Sequence, residues 1–145
     1  MMPIRDQRLL SEYAEDVFSC ELCDLLHCCR RGNGEVHHIT GGTSQRHDVL
    51  TNVVMLCRSA HRWVQEIEII PGRILCLWCK QQRGQLDWTF FREQHQCQWA
   101  WCERQWETRR ERGPVLYQGR DITQQVERCL RQLGEDFRRA MSSGT

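Results

Sequence analysis

The sequence predicts an α+β fold, and three observations predict it. Residues 35 to 68 alternate as strands in EVHHI and NVVMLC and then take helical spacing in RSAHRWVQEIE. Further on, two stretches of about 87–112 and 121–141 carry apolar residues at steps of three and four. Turn-rich breaks, CRRGNGE among them, separate the periodic segments. At 145 residues, 40% hydrophobic and 27% charged, the chain is expected to form one domain spanning 1–145.

Taken in order, Leu9, Leu10, Tyr13 and Val17 recur at helical spacing, so a helix is expected from about Pro3 to Phe18, with Pro3 at its start. The segment EVHHI reads as a strand ending at Thr40-Gly41-Gly42, and a polar loop follows in which His47 and Asp48 are expected to be solvated. NVVMLC reads as a second strand, and the short helix after it sets His61 and Gln65 one turn apart on one face. IEIIPGRILCLWCK reads as a β-hairpin, two strands joined at Pro71-Gly72. The next helix, Asp87 to Arg112, carries Trp88, Phe91, His95, Trp99, Cys102 and Trp106 as a core stripe and stops at Gly113-Pro114. The last runs to Met141 with Asp121 as its N-cap and Ile122, Val126, Cys129, Leu130, Leu133 and Phe137 on its apolar side.

Composition narrows the function. No run of about 18 apolar residues can span a membrane, and the N-terminus lacks the apolar core of a secretion signal, so the expectation is a cytoplasmic protein, in the host-cell cytoplasm if a phage encodes it. Ten cysteines without an export signal point to metal or buried thiols rather than disulfides, and the two CxxC pairs, Cys20/Cys23 and Cys76/Cys79, favour metal. Residues 1–70 carry 7 basic and 10 acidic side chains and the remainder 13 and 9, a mild tilt only. Lys80 is the single lysine among 20 basic residues, and arginine's planar fork suits phosphate oxygens.

His37 and His38 side by side, then Asn52, then His61 offer what phosphodiester hydrolysis requires: a base for water, ligands for a cation and a group that holds them in register. With CxxC ahead, Gly41-Gly42 after the first strand, Asn-Val-Val-x-Leu-Cys leading into the helix and His-Arg following, the stretch from Cys20 to Trp63 resembles the HNH, or ββα-metal, endonuclease family. The resemblance implies a ββα-metal core at about 20–66, preceded by a helix and followed by the hairpin and a helical C-terminal extension at about 87–141. It implies His38 as general base, Asn52 as the residue that pins the loop and orients that base, and His37 and His61 as ligands of one divalent cation (Mg, Mn, Ni or Co), with DNA as the partner. Most family members carry aspartate where this chain has His37, so nickel, cobalt or manganese is expected to serve better than magnesium. Because neighbours in a strand face opposite ways, bringing His37 and His38 to one site is expected to need a distorted strand.

The resemblance also implies a structural zinc held by two cysteine pairs, but Ala60 stands where the last cysteine would be. Cys20, Cys23 and Cys57 then need a fourth ligand, with Cys28, Cys29, His27 and the Cys76/Cys79 pair as candidates, and the two CxxC pairs together make a four-sulfur alternative. A zinc-stapled DNA-binding or scaffold protein without cleavage is the alternative function, against which the intact His38, Asn52 and His61 stand. A thiol-redox reading of Cys76-Leu77-Trp78-Cys79 lacks the expected βαβ setting.

Overall fold

The computed structural model describes residues 3–17, 19–27, 34–41, 46–92 and 99–143. Helices and two small antiparallel hairpins mix in it, so the architecture is α+β.

Helix α1 (Gln7–Asp16) starts four residues later than expected because Asp6, not Pro3, begins it: the Asp6 carboxylate accepts the Leu9 N–H at 3.0 Å. Pro3 to Asp6 instead run along the loop at 47–48. Tyr13 and Val17 on the inner face of α1 pack with Val53 and Met55. Helix α2 (Glu21–Leu26) is capped by the Cys20 sulfur and ends at His27, whose φ of 55° is left-handed. Its Glu21 is a buried carboxylate that accepts the Met55 N–H at 2.8 Å, the Arg83 guanidinium at 3.0 Å and the Tyr13 hydroxyl, tying α1, α2 and the central hairpin together.

Strands β1 (Gly34–His38) and β2 (Val53–Cys57) pair antiparallel from Gly34↔Cys57 to His38↔Val53. All of β2 is buried because it is covered by α1 on one face and by α2 and the later helices on the other. Helix α3 (Arg58–Arg62) follows without a break, and the chain widens by one turn at Trp63–Ile67, where the Glu68 N–H reaches back to the Trp63 carbonyl at 2.7 Å.

The expected strands at Pro71-Gly72 are one helix, α4 (Ile69–Gln82). Pro71 lies in its first turn, where the missing N–H has no partner to lose. Ile74, Leu75, Cys76, Leu77, Cys79 and Lys80 are all buried, and a segment covered on most sides carries no readable period. Gly72 permits the close approach: a Cβ there would lie 2.7 Å from that of Val64. The fully buried Lys80 donates to the Gln85 side-chain oxygen at 2.7 Å and to the Tyr13 hydroxyl at 3.4 Å.

Of the helix expected at 87–112, α5 (Trp88–Arg92) and α6 (Trp99–Arg110) are described, and residues 93–98, His95 with them, lie outside the described residues. The stripe of Trp88, Phe91, Trp99, Cys102 and Trp106 is buried core. A second hairpin, β3 (Leu116–Tyr117) with β4 (Arg120–Asp121), turns at Gln118 and Gly119, both with positive φ. Helix α7 (Thr123–Ser143) begins two residues after Asp121, whose carboxylate accepts the Thr123 N–H at 2.9 Å and hydroxyl at 2.6 Å. Its Ile122-flanked face with Val126, Cys129 and Leu133 joins the main core. Arg109 clamps the base of α4 through two bonds to Glu68, at 2.8 and 2.6 Å. Among the described residues no helix is long and apolar enough to cross a membrane.

Candidate metal centre and histidine cavity

Two donor sets flank the central hairpin. The first is a cluster of thiols. Cys20 caps α2, so the Cys23 N–H points at its sulfur at 3.4 Å, and Cys23 one turn on brings its own sulfur within 3.7 Å of Cys57 at the end of β2. The three sulfurs lie within 4.8 Å of one another and all three residues are buried. Burial pushes the Cys57 thiol up, but the Ser59 hydroxyl, the Ala60 N–H and the two neighbouring sulfurs outweigh it and leave its pKa below the ordinary value. Burial dominates at Cys20, whose pKa is raised. Three soft donors this close can accept a metal such as zinc.

The second CxxC takes no part in this cluster, because both of its cysteines lie inside helix α4 rather than on a returning strand. Burial holds the Cys76 and Cys79 thiols well above their ordinary range, and Cys79 donates to the Glu21 carbonyl at 3.8 Å. His27 is exposed, and Cys28 and Cys29 lie outside the described residues. The Tyr117 hydroxyl stands 3.3 Å from the Cys23 sulfur.

The second set is histidine. The pleat of β1 is regular to its last residue, which corrects the expectation of a distorted strand. Glu35 and His37 share the face toward α3, while Val36 on the other face packs with the α1 cluster. Because β1 ends at His38, a cavity of about 440 Å³ opens around that end, and His37, His38 and His61 all line it. Arg46 and Arg73 line it too.

Within the cavity wall, His37 and His61 have ring centroids 4.9 Å apart in an edge-to-face arrangement. The His61 Nδ1 is 2.9 Å from a Glu35 oxygen, so that nitrogen is anchored and Nε2 lies outside the contact. The His37 Nδ1 is buried without a hydrogen-bond partner, a condition that costs about 1–3 kcal/mol for a buried polar atom. Burial, then His61, His38 and Arg73, hold the His37 pKa down to about 3, so the ring is neutral at neutral pH. A neutral imidazole with an unpartnered nitrogen beside a second, carboxylate-held imidazole fits a cation.

His38 turns the other way. Its Nε2 lies 2.8 Å from Asp48 Oδ1. Burial, with the Arg46 and Arg5 charges, lowers the His38 pKa against the raising effect of Asp48, so this ring too is neutral at neutral pH. His47 and Asp48, expected in solvent, are buried: the Ile4 N–H donates to His47 Nδ1 at 3.0 Å and the Asp6 N–H to Asp48 Oδ2 at 2.8 Å. The partners that bury them come from before α1, about forty residues away, which no local pattern displays.

Asn52 is fully buried, and its side chain uses its whole hydrogen-bonding capacity. It accepts the Thr40 N–H at 3.0 Å and hydroxyl at 3.2 Å, and donates to the carbonyls of Thr40 at 3.3 Å and His47 at 3.0 Å. Both ends of the loop that follows β1 are thereby fixed to the start of β2. Sequence reasoning missed Glu35 and Asp48. Glu35 was detectable, being two residues from His37 and so on the same strand face; Asp48 was not.

No family model matches this chain, no curated protein matches it, and no solved structure matches its fold.

Proposed function

We propose that the chain is a metal-dependent endonuclease of the HNH type that hydrolyses DNA phosphodiester bonds. The observation that carries the reading is the convergence of His37, His38 and His61 on one cavity, with the His37 Nδ1 buried and unpartnered beside the His61 ring. His37 and His61 would hold the cation, whose charge neutralises the scissile phosphate and the departing 3′ oxygen. His38 is neutral and lines the same cavity, so it accepts the proton of the attacking water. Asn52 fixes the loop that follows the base and carries its partner Asp48, and Arg46 and Arg73 offer guanidinium groups to phosphate oxygens. The thiol cluster, with zinc, serves the fold at the other end of the hairpin.

The experiment is cleavage of supercoiled plasmid with a panel of divalent cations beside a His38→Ala control. Wild type nicks or linearises the plasmid, and His38→Ala loses about 10²- to 10⁴-fold in rate while keeping its circular dichroism. A His38→Ala protein as active as wild type would refute the role of His38, and a wild type inert with every cation refutes the nuclease.

A further inference from the structure

We propose that Asp48 is the positioning residue of His38, and that residues 4–6 ahead of α1 belong to the same device; this rests on the nuclease reading above. The His38 Nε2 and Asp48 Oδ1 are 2.8 Å apart with side chains only 9% and 6% exposed. A buried carboxylate accepts and cannot donate, so the proton of a neutral His38 must sit on Nε2. Nδ1 then keeps its lone pair, and it makes no hydrogen bond among the described residues. The ring is delivered with one nitrogen anchored and the other ready to take a proton from water.

Asp48 is itself immobilised. Its second oxygen accepts the Asp6 N–H at 2.8 Å, its own N–H donates to the Ile4 carbonyl at 2.8 Å, and the preceding His47 accepts the Ile4 N–H at 3.0 Å. Asn52 holds the His47 carbonyl from the other side. Both carboxylate oxygens are therefore committed to fixed donors, one from the N-terminal segment and one from the base. A group with one acceptor oxygen cannot serve both.

That last point gives the test. In Asp48→Asn, an isosteric change, the amide oxygen goes to the Asp6 N–H and the amide NH₂ faces His38 Nε2, which drives the His38 proton onto Nδ1. The tautomer is read from ¹⁵N resonances of labelled, metal-free protein, assigned with His38→Gln. Wild type shows Nε2–H, and Asp48→Asn shows Nδ1–H with an unchanged fold by circular dichroism. Cleavage kinetics should show kcat down by on the order of 10²- to 10⁴-fold with KM nearly unchanged, the loss expected when a base is held in the wrong tautomer. A wild-type His38 protonated on Nδ1 overturns the inference, whatever the variants do. So does an Asp48→Asn protein that keeps Nε2–H or cleaves at the wild-type rate. If the wild type cuts nothing with any cation, the nuclease reading falls, while the resonances still decide whether Asp48 sets the His38 proton.

Discussion

The cysteine cluster lies where β2 ends, at Cys57 paired with Gly34, and the histidine cavity lies where β1 ends, at His38 paired with Val53. The two are held in different ways. Around the thiols most of the supporting groups are near in sequence, the Cys23 N–H for Cys20 and the Ser59 hydroxyl and Ala60 N–H for Cys57, with the Tyr117 hydroxyl beside Cys23 as the remote exception. Around the imidazoles the supports reach further, Glu35 for His61 at a separation of 26 residues and Asp6, at 42, for the Asp48 that is hydrogen-bonded to His38. A cluster of buried soft donors that draws α2 to the end of β2 is expected to be coupled to folding. The histidine rings are held through side-chain carboxylates, so on the proposed reading they can be misdirected while the core stays intact.

The largest effect should therefore come from the cysteine end. A strong chelator, or Cys57→Ser, should lower the thermal midpoint by on the order of 10 °C or more, since structural zinc contributes folding energy directly. Elemental analysis accompanies the melt. Protein that carries no tightly held metal and melts alike with and without chelator would make the three sulfurs ordinary core thiols and erase the contrast.

Next in size is Asn52→Ala, which leaves the Thr40 N–H and the His47 carbonyl buried and unpaired. It should cost about 2–4 kcal/mol in urea unfolding and depress cleavage, because the loop between β1 and β2 loses its tie. An unfolding midpoint equal to wild type would show that the loop is held by other bonds.

The histidine cavity should also show in the acid limb of stability. The His37 pKa is held down from 6.5 to about 3 in the folded chain. As pH falls below 6.5 the unfolded chain takes up a proton that the folded chain refuses until near 3. Stability therefore declines with acid across that window, by on the order of a few kcal/mol. Urea midpoints measured from pH 7 to pH 4 should lose that slope in His37→Gln; an equal slope in both proteins would assign the acid sensitivity elsewhere.

The smallest expected effect sharpens the chemistry of the cavity. Two imidazoles favour nickel, cobalt or manganese over magnesium, and His37→Asp restores a hard oxygen donor. The ratio of magnesium to manganese needed for half-maximal cleavage should fall by roughly tenfold in the variant. A metal profile that does not move would remove His37 from the ligand set.

What the sequence by itself determined is the order strand, loop, strand, helix around His37, His38, Asn52 and His61, and the meeting of Cys20 with Cys23. These follow from periods of two and 3.6 residues and from a cap one turn from its partner, all of which act over short stretches of chain. Tertiary structure alone decided three other matters. Residues 69–82 form a helix that no pattern displays, because a segment buried on most sides shows no alternation between core and solvent, and that helix keeps Cys76 and Cys79 out of the cluster with Cys57. His47 and Asp48 went inside because residues 4–6 supply the donors and acceptors that their burial requires. And His38 acquired its carboxylate through that same contact, a pairing fixed by the fold's closure over forty residues and by no spacing along the chain.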